Sequence, residues 1–319
     1  MTPRKILVVL NETEDAGLLR AADAFAQHHQ AELITLVAVE QPHDLGIASR
    51  LTGRAPEQLM TDLKDRARHQ TRALAQDVLP DRNVTVDITL GKAFIEIIRH
   101  VTEHACDFVM KTAEPLSGLQ SFLFASTDQH LLRKCPCPVW LRTPDAKLIP
   151  KRIIATVDLD ISDADEPETL AQLNREVLAA ANCLAAPDVA ETVVLHAWEA
   201  IGEGMVWAFS SGGDARVQAD TYVNSILDAR QKAMVRFLQE ARAQTAHVAP
   251  LTPLLIRGTP ETVIQQAAEE LGADVVVMGT VARTGVRGVF IGNTAENIIN
   301  RLTCPVLAIK PQGFVSPLL

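Results

Sequence analysis

The sequence predicts an α/β protein of two tandem doubly wound domains, each a five-stranded parallel sheet flanked by helices. Three observations carry that prediction. The chain has 319 residues, beyond the roughly 250 to 300 at which a single hydrophobic core stops growing. It also repeats itself: a shift of 167 positions superposes Gly91 on Gly258, Ile97 on Ile264, Glu103 on Glu270, Asp107 on Asp274, Gly118 on Gly285 and Thr127 on Thr294. In both copies short apolar runs alternate with stretches of helical period, the pattern of right-handed βαβ units.

In the first copy the expected strands are 6–10, 33–39, 84–90, 108–111 and 139–142. In the second they are 153–157, 192–198, 254–256, 275–278 and 306–309. Their Val, Ile and Leu run nearly without alternation, as in strands covered on both faces. Helical periodicity fills 56–78, 93–105, 219–243 and 260–270. Upstream of the gap-free repeat, residues 5–11 pair with 152–158 at a shift of 147, so the second copy has gained about 20 residues between its first and third strands. The stretch 142–152, with two prolines and several charges, is the expected linker and divides the chain into domains 1–145 and 146–319.

Composition narrows the function classes. Thirty Lys and Arg against 39 Asp and Glu give a net charge of -9, and the cations are scattered, so a nucleic-acid partner is not expected. The apolar run 6–10 is too brief for a signal peptide or a membrane span, which predicts a cytoplasmic protein without membrane insertion. Five cysteines, an odd number, argue against a disulfide framework. Cys135-Pro136-Cys137 is C-x-C with no second pair spaced for tetrahedral zinc. His100-Val101-Thr102-Glu103-His104 spells H-x-x-E-H, with two histidines one helical turn apart. A metal there needs a third ligand and a cleft, so the expectation is a solvated helix face and no metal.

In a doubly wound sheet, ligands bind beyond the carboxyl ends of the strands at the switch point. The fourth strand of the second copy runs into Gly279-Thr280-Val281-Ala282-Arg283, and the loop closes on Gly292-Asn293-Thr294. Glycines let backbone approach an oxyanion closely, and a helix opening at Gly292-Asn293 offers free N–H groups to phosphate. Together with a first strand ending in Asp158, the turn Gly258-Thr259-Pro260 and the Cys-Pro-Val triplets at Cys137 and Cys304, this loop resembles the universal stress protein family (UspA superfamily) in its tandem two-domain type. The resemblance covers nearly the whole chain.

Nucleotide-binding members of that family carry Gly-x2-Gly-x9-Gly-(Ser/Thr) at this loop. Gly279 and Gly292 match, whereas Ala282 and Asn293 depart from it. Alanine adds a methyl group and resists positive φ; Asn can still donate to a phosphate oxygen. The resemblance implies Rossmann-like, adenine nucleotide alpha hydrolase-like domains related by a pseudo-twofold through 138–141 against 305–309. It further implies that Asp158 and the backbone around Ala197 meet an adenine-like ring, with Gly279, Ala282, Arg283, Gly292, Asn293 and Thr294 around the phosphates. The corresponding ligand is ATP or AMP with Mg2+.

Each of these residues also has a plainer reading. Asn293 with Glu296 could be an ordinary capping box, Asp158 could cap its own turn, Arg283 and Arg287 could stand solvated, and His196 could be a satisfied core histidine. In the first copy Asn11, Thr112, Pro115, Ala125 and Ser126 replace Asp158, Gly279, Ala282, Gly292 and Asn293, which predicts a domain unable to cradle phosphate, either structural or a site for something other than ATP. No G-x-S-x-G elbow, Walker loop or paired-carboxylate signature is present, and Ser210-Ser211-Gly212-Gly213-Asp214 fails the spacing of a pyrophosphatase loop. The expected function is a non-enzymatic stress protein that takes a small-molecule ligand in its second domain and passes that state to protein partners. The alternatives are a weak ATPase and a scaffold or carrier of an apolar, lipid-like metabolite held between the domains by 201–211, a segment that otherwise reads as a domain-docking surface. The tandem chain would form an intramolecular pseudo-dimer, with a further homodimer left open.

Overall fold

The computed structural model describes residues 1–11, 15–114, 126–161, 164, 166–185, 190–210, 214–244, 250–280 and 292–318. The first half runs β1 (Lys5–Val9), α1 (Ala16–His29), β2 (Glu32–Val39), α2 (Leu45–Thr52), α3 (Pro56–Val78), β3 (Thr85–Leu90), α4 (Ala93–Glu103), β4 (Phe108–Thr112), α5 (Ser126–Lys134) and β5 (Val139–Arg142). The second runs β6 (Arg152–Thr156), α6 (Pro167–Leu184), β7 (Glu191–Trp198), α7 (Glu203–Phe209), α8 (Ala215–Gln244), β8 (Leu251–Arg257), α9 (Pro260–Glu270), β9 (Val275–Gly279), α10 (Asn293–Ile299) and β10 (Val306–Ile309). Part of the extra length of the second copy lies in its helices: α6 has 18 residues where α1 has 14, and α8 has 30 where α3 has 23.

All ten strands form one sheet in the order β3-β2-β1-β4-β5-β10-β9-β6-β7-β8. Within each half the pairs are parallel. At the centre β5 and β10 pair antiparallel, Val306 with Leu141, Leu307 with Trp140 and Ala308 with Val139, and the pseudo-twofold passes between them. The apolar strand runs feed both faces of the sheet: Ile6 and Val8 enter one core, Leu7 and Val9 the other. Each core draws residues from both halves, so the two domains share their hydrophobic layers across the β5–β10 seam.

The repeated residues have repeated jobs. Asp107 accepts the backbone N–H groups of Arg4 and Lys5, and Asp274 those of Lys151 and Arg152, so one carboxylate anchors the entry to the first strand of each domain. Gly91 and Gly258 sit at φ +149° and +147°, a conformation that residues with a Cβ rarely adopt. Each turns its chain from the third strand of its domain into the next helix, with its N–H on Val39 O or Trp198 O.

The described part of the expected docking segment, 201–210, does not lie between the domains. The sheet order puts β7 and β8 at the outer end, far from the β5–β10 seam, and α7 leans on α8 there. Ile201 and Phe209 are 86% and 84% exposed. Among the described residues, no helix is long and apolar enough to cross a membrane.

Candidate functional site

The site grows from the exits of β6, β7 and β9 on either side of the switch point in the second half. As the chain leaves β6, the Asp158 N–H donates to Asn174 Oδ1 at 2.9 Å, and Asn174 Nδ2 donates back to Asp158 O at 2.7 Å. Asn174 is a buried residue of α6, so a helix side chain holds the exit loop in place. The Asp158 carboxylate accepts the Asp160 N–H at 3.1 Å, which is the turn-capping role open to a short acid.

His196 on β7 is 1% exposed, and its Nδ1 lies 3.1 Å from Val157 O and 3.3 Å from Leu159 N. Nε2 faces Asp160 Oδ1 at 3.8 Å, and Asp160 is paired with Arg230 of α8. Burial is the largest influence on His196 and keeps its imidazole below the ordinary histidine range, against the pull of Asp160 and Asp158. It is therefore a buried histidine tied to the β6 exit.

On the far side, Gly292 is the N-cap of α10, at φ −64° and ψ 141°, with its N–H on Thr280 O at 3.0 Å. Asn293 is the first helical residue, so it is not the N-cap of a capping box with Glu296, the plainer of its two readings. The Glu296 carboxylate instead pairs with Arg133 of α5 in the first half. Gly279 owes its missing side chain to packing, since a Cβ there would lie 2.6 Å from Leu173 Cδ2 on α6.

These elements enclose a cavity of about 730 Å³, inside the usual range for small-molecule sites. The structure brings Asp158, Ala197, Gly279, Gly292, Asn293 and Thr294 into its wall. Ala282, Arg283 and Arg287 lie outside the described residues. Sequence reasoning missed Asn174, Tyr222 and Arg230, which also line it. They come from helices whose place over the sheet no local pattern announces. Among the described lining residues the carboxylates Asp158, Asp160, Glu199 and Glu261 face one arginine, Arg230.

In the first half the described residues at the corresponding strand exits form a polar network. Asp15 accepts the Asn11 N–H and, at 2.7 Å, the Thr112 hydroxyl. Lys111 and Asp128, 1% and 0% exposed, stand 3.0 Å apart, and Lys111 also donates to Glu114 at 2.6 Å. Burial opposes the Lys111 charge, but Asp128 and Glu114 outweigh it and hold the ammonium above its usual range. Under the repeat shift of 167, Lys111 and Asp128 correspond to Met278 and Ala295, both of which line the second-half cavity. Where the second domain has open apolar wall, the first has a buried ion pair. Pro115 and Ala125 lie outside the described residues.

The model of the universal stress protein family matches residues 2–142 and again 146–310. The chain belongs to the universal stress protein family. It is of the tandem, UspE-like type: universal stress protein E of Photorhabdus laumondii subsp. laumondii is 25% identical over 99% of this chain and 97% of its own length. Universal stress protein E of Salmonella typhi is 31% identical over 71% of this chain and 68% of its own length. Among solved structures, a functionally unknown protein from Pseudomonas aeruginosa PAO1 aligns over 97% of this chain and 93% of its own, with TM-score 0.67 and 24% identity. A universal stress protein from Archaeoglobus fulgidus DSM 4304 aligns over 96% and 98%, with TM-score 0.51 and 14% identity. Membership in the universal stress protein family supports a role in stress response, and the structural likenesses support the Rossmann-like fold.

Proposed function

We propose that this universal stress protein is a non-enzymatic binding protein whose second domain takes an adenine nucleotide, while its first domain is structural. The observation that carries the reading is the contrast between the two halves. The second keeps a cavity of about 730 Å³ at the switch point, and at the corresponding strand exits of the first the described residues Asp15, Lys111, Thr112 and Asp128 are engaged with one another in polar contacts. The acidic lining would repel a bare polyphosphate, so the nucleotide would enter with Mg2+ neutralising its charge. Asp160 is engaged by Arg230 and His196 is tied to backbone, which favours binding over turnover.

A second reading, carriage of an apolar metabolite, has one observation of its own. Ile201 lines the cavity and is 86% exposed, and Met205, Trp207 and Phe209 follow it on α7 with their side chains largely in solvent. Native mass spectrometry of the full chain, with and without Mg-ATP, distinguishes the two. The control is Gly292→Asp: the N-cap φ and ψ suit any residue, and Asp is a favoured N-cap, so the variant should fold while placing a negative charge at the cavity. A nucleotide mass on the wild type that the variant lacks supports the nucleotide reading. A co-purified apolar mass, or no nucleotide, overturns it.

A further inference from the structure

We propose that Asp87, His100 and His104 form a binding site in the first domain for a divalent cation of the zinc class. H-x-x-E-H lacks a third ligand in the sequence, and the fold supplies one. Strand β3 is an edge of the sheet and α4 follows it immediately, which sets Asp87 on the strand against the histidine face of the helix. One donor atom from each of the three residues lies within 4.8 Å of the other two. His100 Nε2 is 3.3 Å from Asp87 Oδ2, close to the ~3.3 Å edge of a zinc tetrahedron built on bonds near 2.05 Å. The two imidazoles stack with centroids 4.0 Å apart and 26° between planes.

His100 is not on a solvated face, as the sequence suggested, but 5% exposed. Its Nε2 makes no hydrogen bond among the described residues. A buried nitrogen without such a bond is uncommon, and this one lies 3.3 Å from the Asp87 carboxylate. His104 is exposed and Asp87 partly so, so both can rotate to close the remaining distance and a cation can reach them.

The repeat argues that the trio is a unit. At a shift of 167 the second domain has Leu254, Ala267 and Leu271 in place of Asp87, His100 and His104, and all three contribute to an ordinary apolar core. The first domain thus replaces three packed hydrocarbon side chains with three ligating ones. Two imidazole nitrogens and one carboxylate oxygen suit a borderline cation such as Zn2+, whereas Mg2+ and Ca2+ favour all-oxygen shells and Cu(I) favours sulfur. Three protein ligands leave the fourth position to water. The bound ion would tie α4 to the edge strand, at a place separate from the second-domain cavity.

The test is titration of the full chain with Zn2+ alone, by calorimetry against a competing chelator, and with Co2+ for its visible absorption. The expected result is one Zn2+ per chain, a Co2+ band, and affinity reduced by at least about tenfold in His104→Ala and in Asp87→Asn. Both side chains reach solvent, so both variants should keep the wild-type circular dichroism. A Cys135→Ser, Cys137→Ser chain should bind as the wild type does, excluding the buried thiol pair. Absence of saturable binding at micromolar Zn2+, or binding that survives both ligand variants, would overturn the proposal.

Discussion

Leu173 on α6 fills the space that a side chain on Gly279 would need, with Cδ2 2.6 Å from where that Cβ would stand. A side chain at the end of β9 would therefore force Leu173 to shift, whatever the cavity binds. Gly279→Ala should destabilise the protein by about 1–3 kcal/mol through overpacking, and Leu173→Ala in the same chain should recover part of that loss. Urea unfolding of the two singles and the double measures it. Additive losses would contradict the packing account.

Lys310 carries a pH signature. It is 7% exposed, and its Nζ donates to Thr280 Oγ1 at 2.7 Å and to Leu132 O across the domain seam. Burial lowers its pKa to about 7. Between that value and the unfolded value near 10.4 the unfolded chain binds the extra proton, so this residue makes stability rise with pH over that window. Lys310→Met should flatten the rise, as read from chemical unfolding at pH 6.5, 8 and 9.5.

Asp274 acts in the opposite range. Burial alone would raise its pKa, but Lys147 and the backbone N–H groups of Lys151 and Arg152 prevail and hold it below the usual carboxylate range. A depressed carboxyl stabilises the fold above its unfolded pKa, and the contribution is lost as pH falls toward the folded one. Asp274→Ala should cost about 1–3 kcal/mol at neutral pH by orphaning those donors, with the gap from wild type narrowing below about pH 4.

Arg133 and Glu296 join α5 to α10 across the pseudo-twofold. Each side chain is about a third exposed, 33% and 31%, so water screens the pair. A double-mutant cycle with Arg133→Gln and Glu296→Gln should give a coupling no larger than about 1 kcal/mol. The seam is held chiefly by β5, β10 and the shared cores, and a coupling of several kcal/mol would reverse that ranking.

Strands were legible because short continuous Val, Ile and Leu runs bounded by turn residues suit a parallel sheet buried on both faces; nine of the ten lie within a residue or so of their expected bounds. The exception is β8, expected at 254–256 and found at Leu251–Arg257. Pro253 reads as a break, yet β8 is an edge strand, where a missing N–H is tolerated. Helix α7 was hidden by Gly202 and Gly204. At the site, the strand-exit residues could be named from local sequence because a parallel sheet delivers those exits to one side. Asn174, Arg230 and the ligand Asp87 could not, since each acts through a partner on another element, brought near only by packing.

The central claim, that the second domain binds a nucleotide and the first does not, is tested most directly by hydrogen exchange on the full chain with and without Mg-ATP. The account predicts slower exchange in 157–160, 259–264 and 292–298, with 11–15, 111–114 and 126–132 unchanged. Protection confined to the first-domain segments, or none in either domain at saturating Mg-ATP, would contradict it.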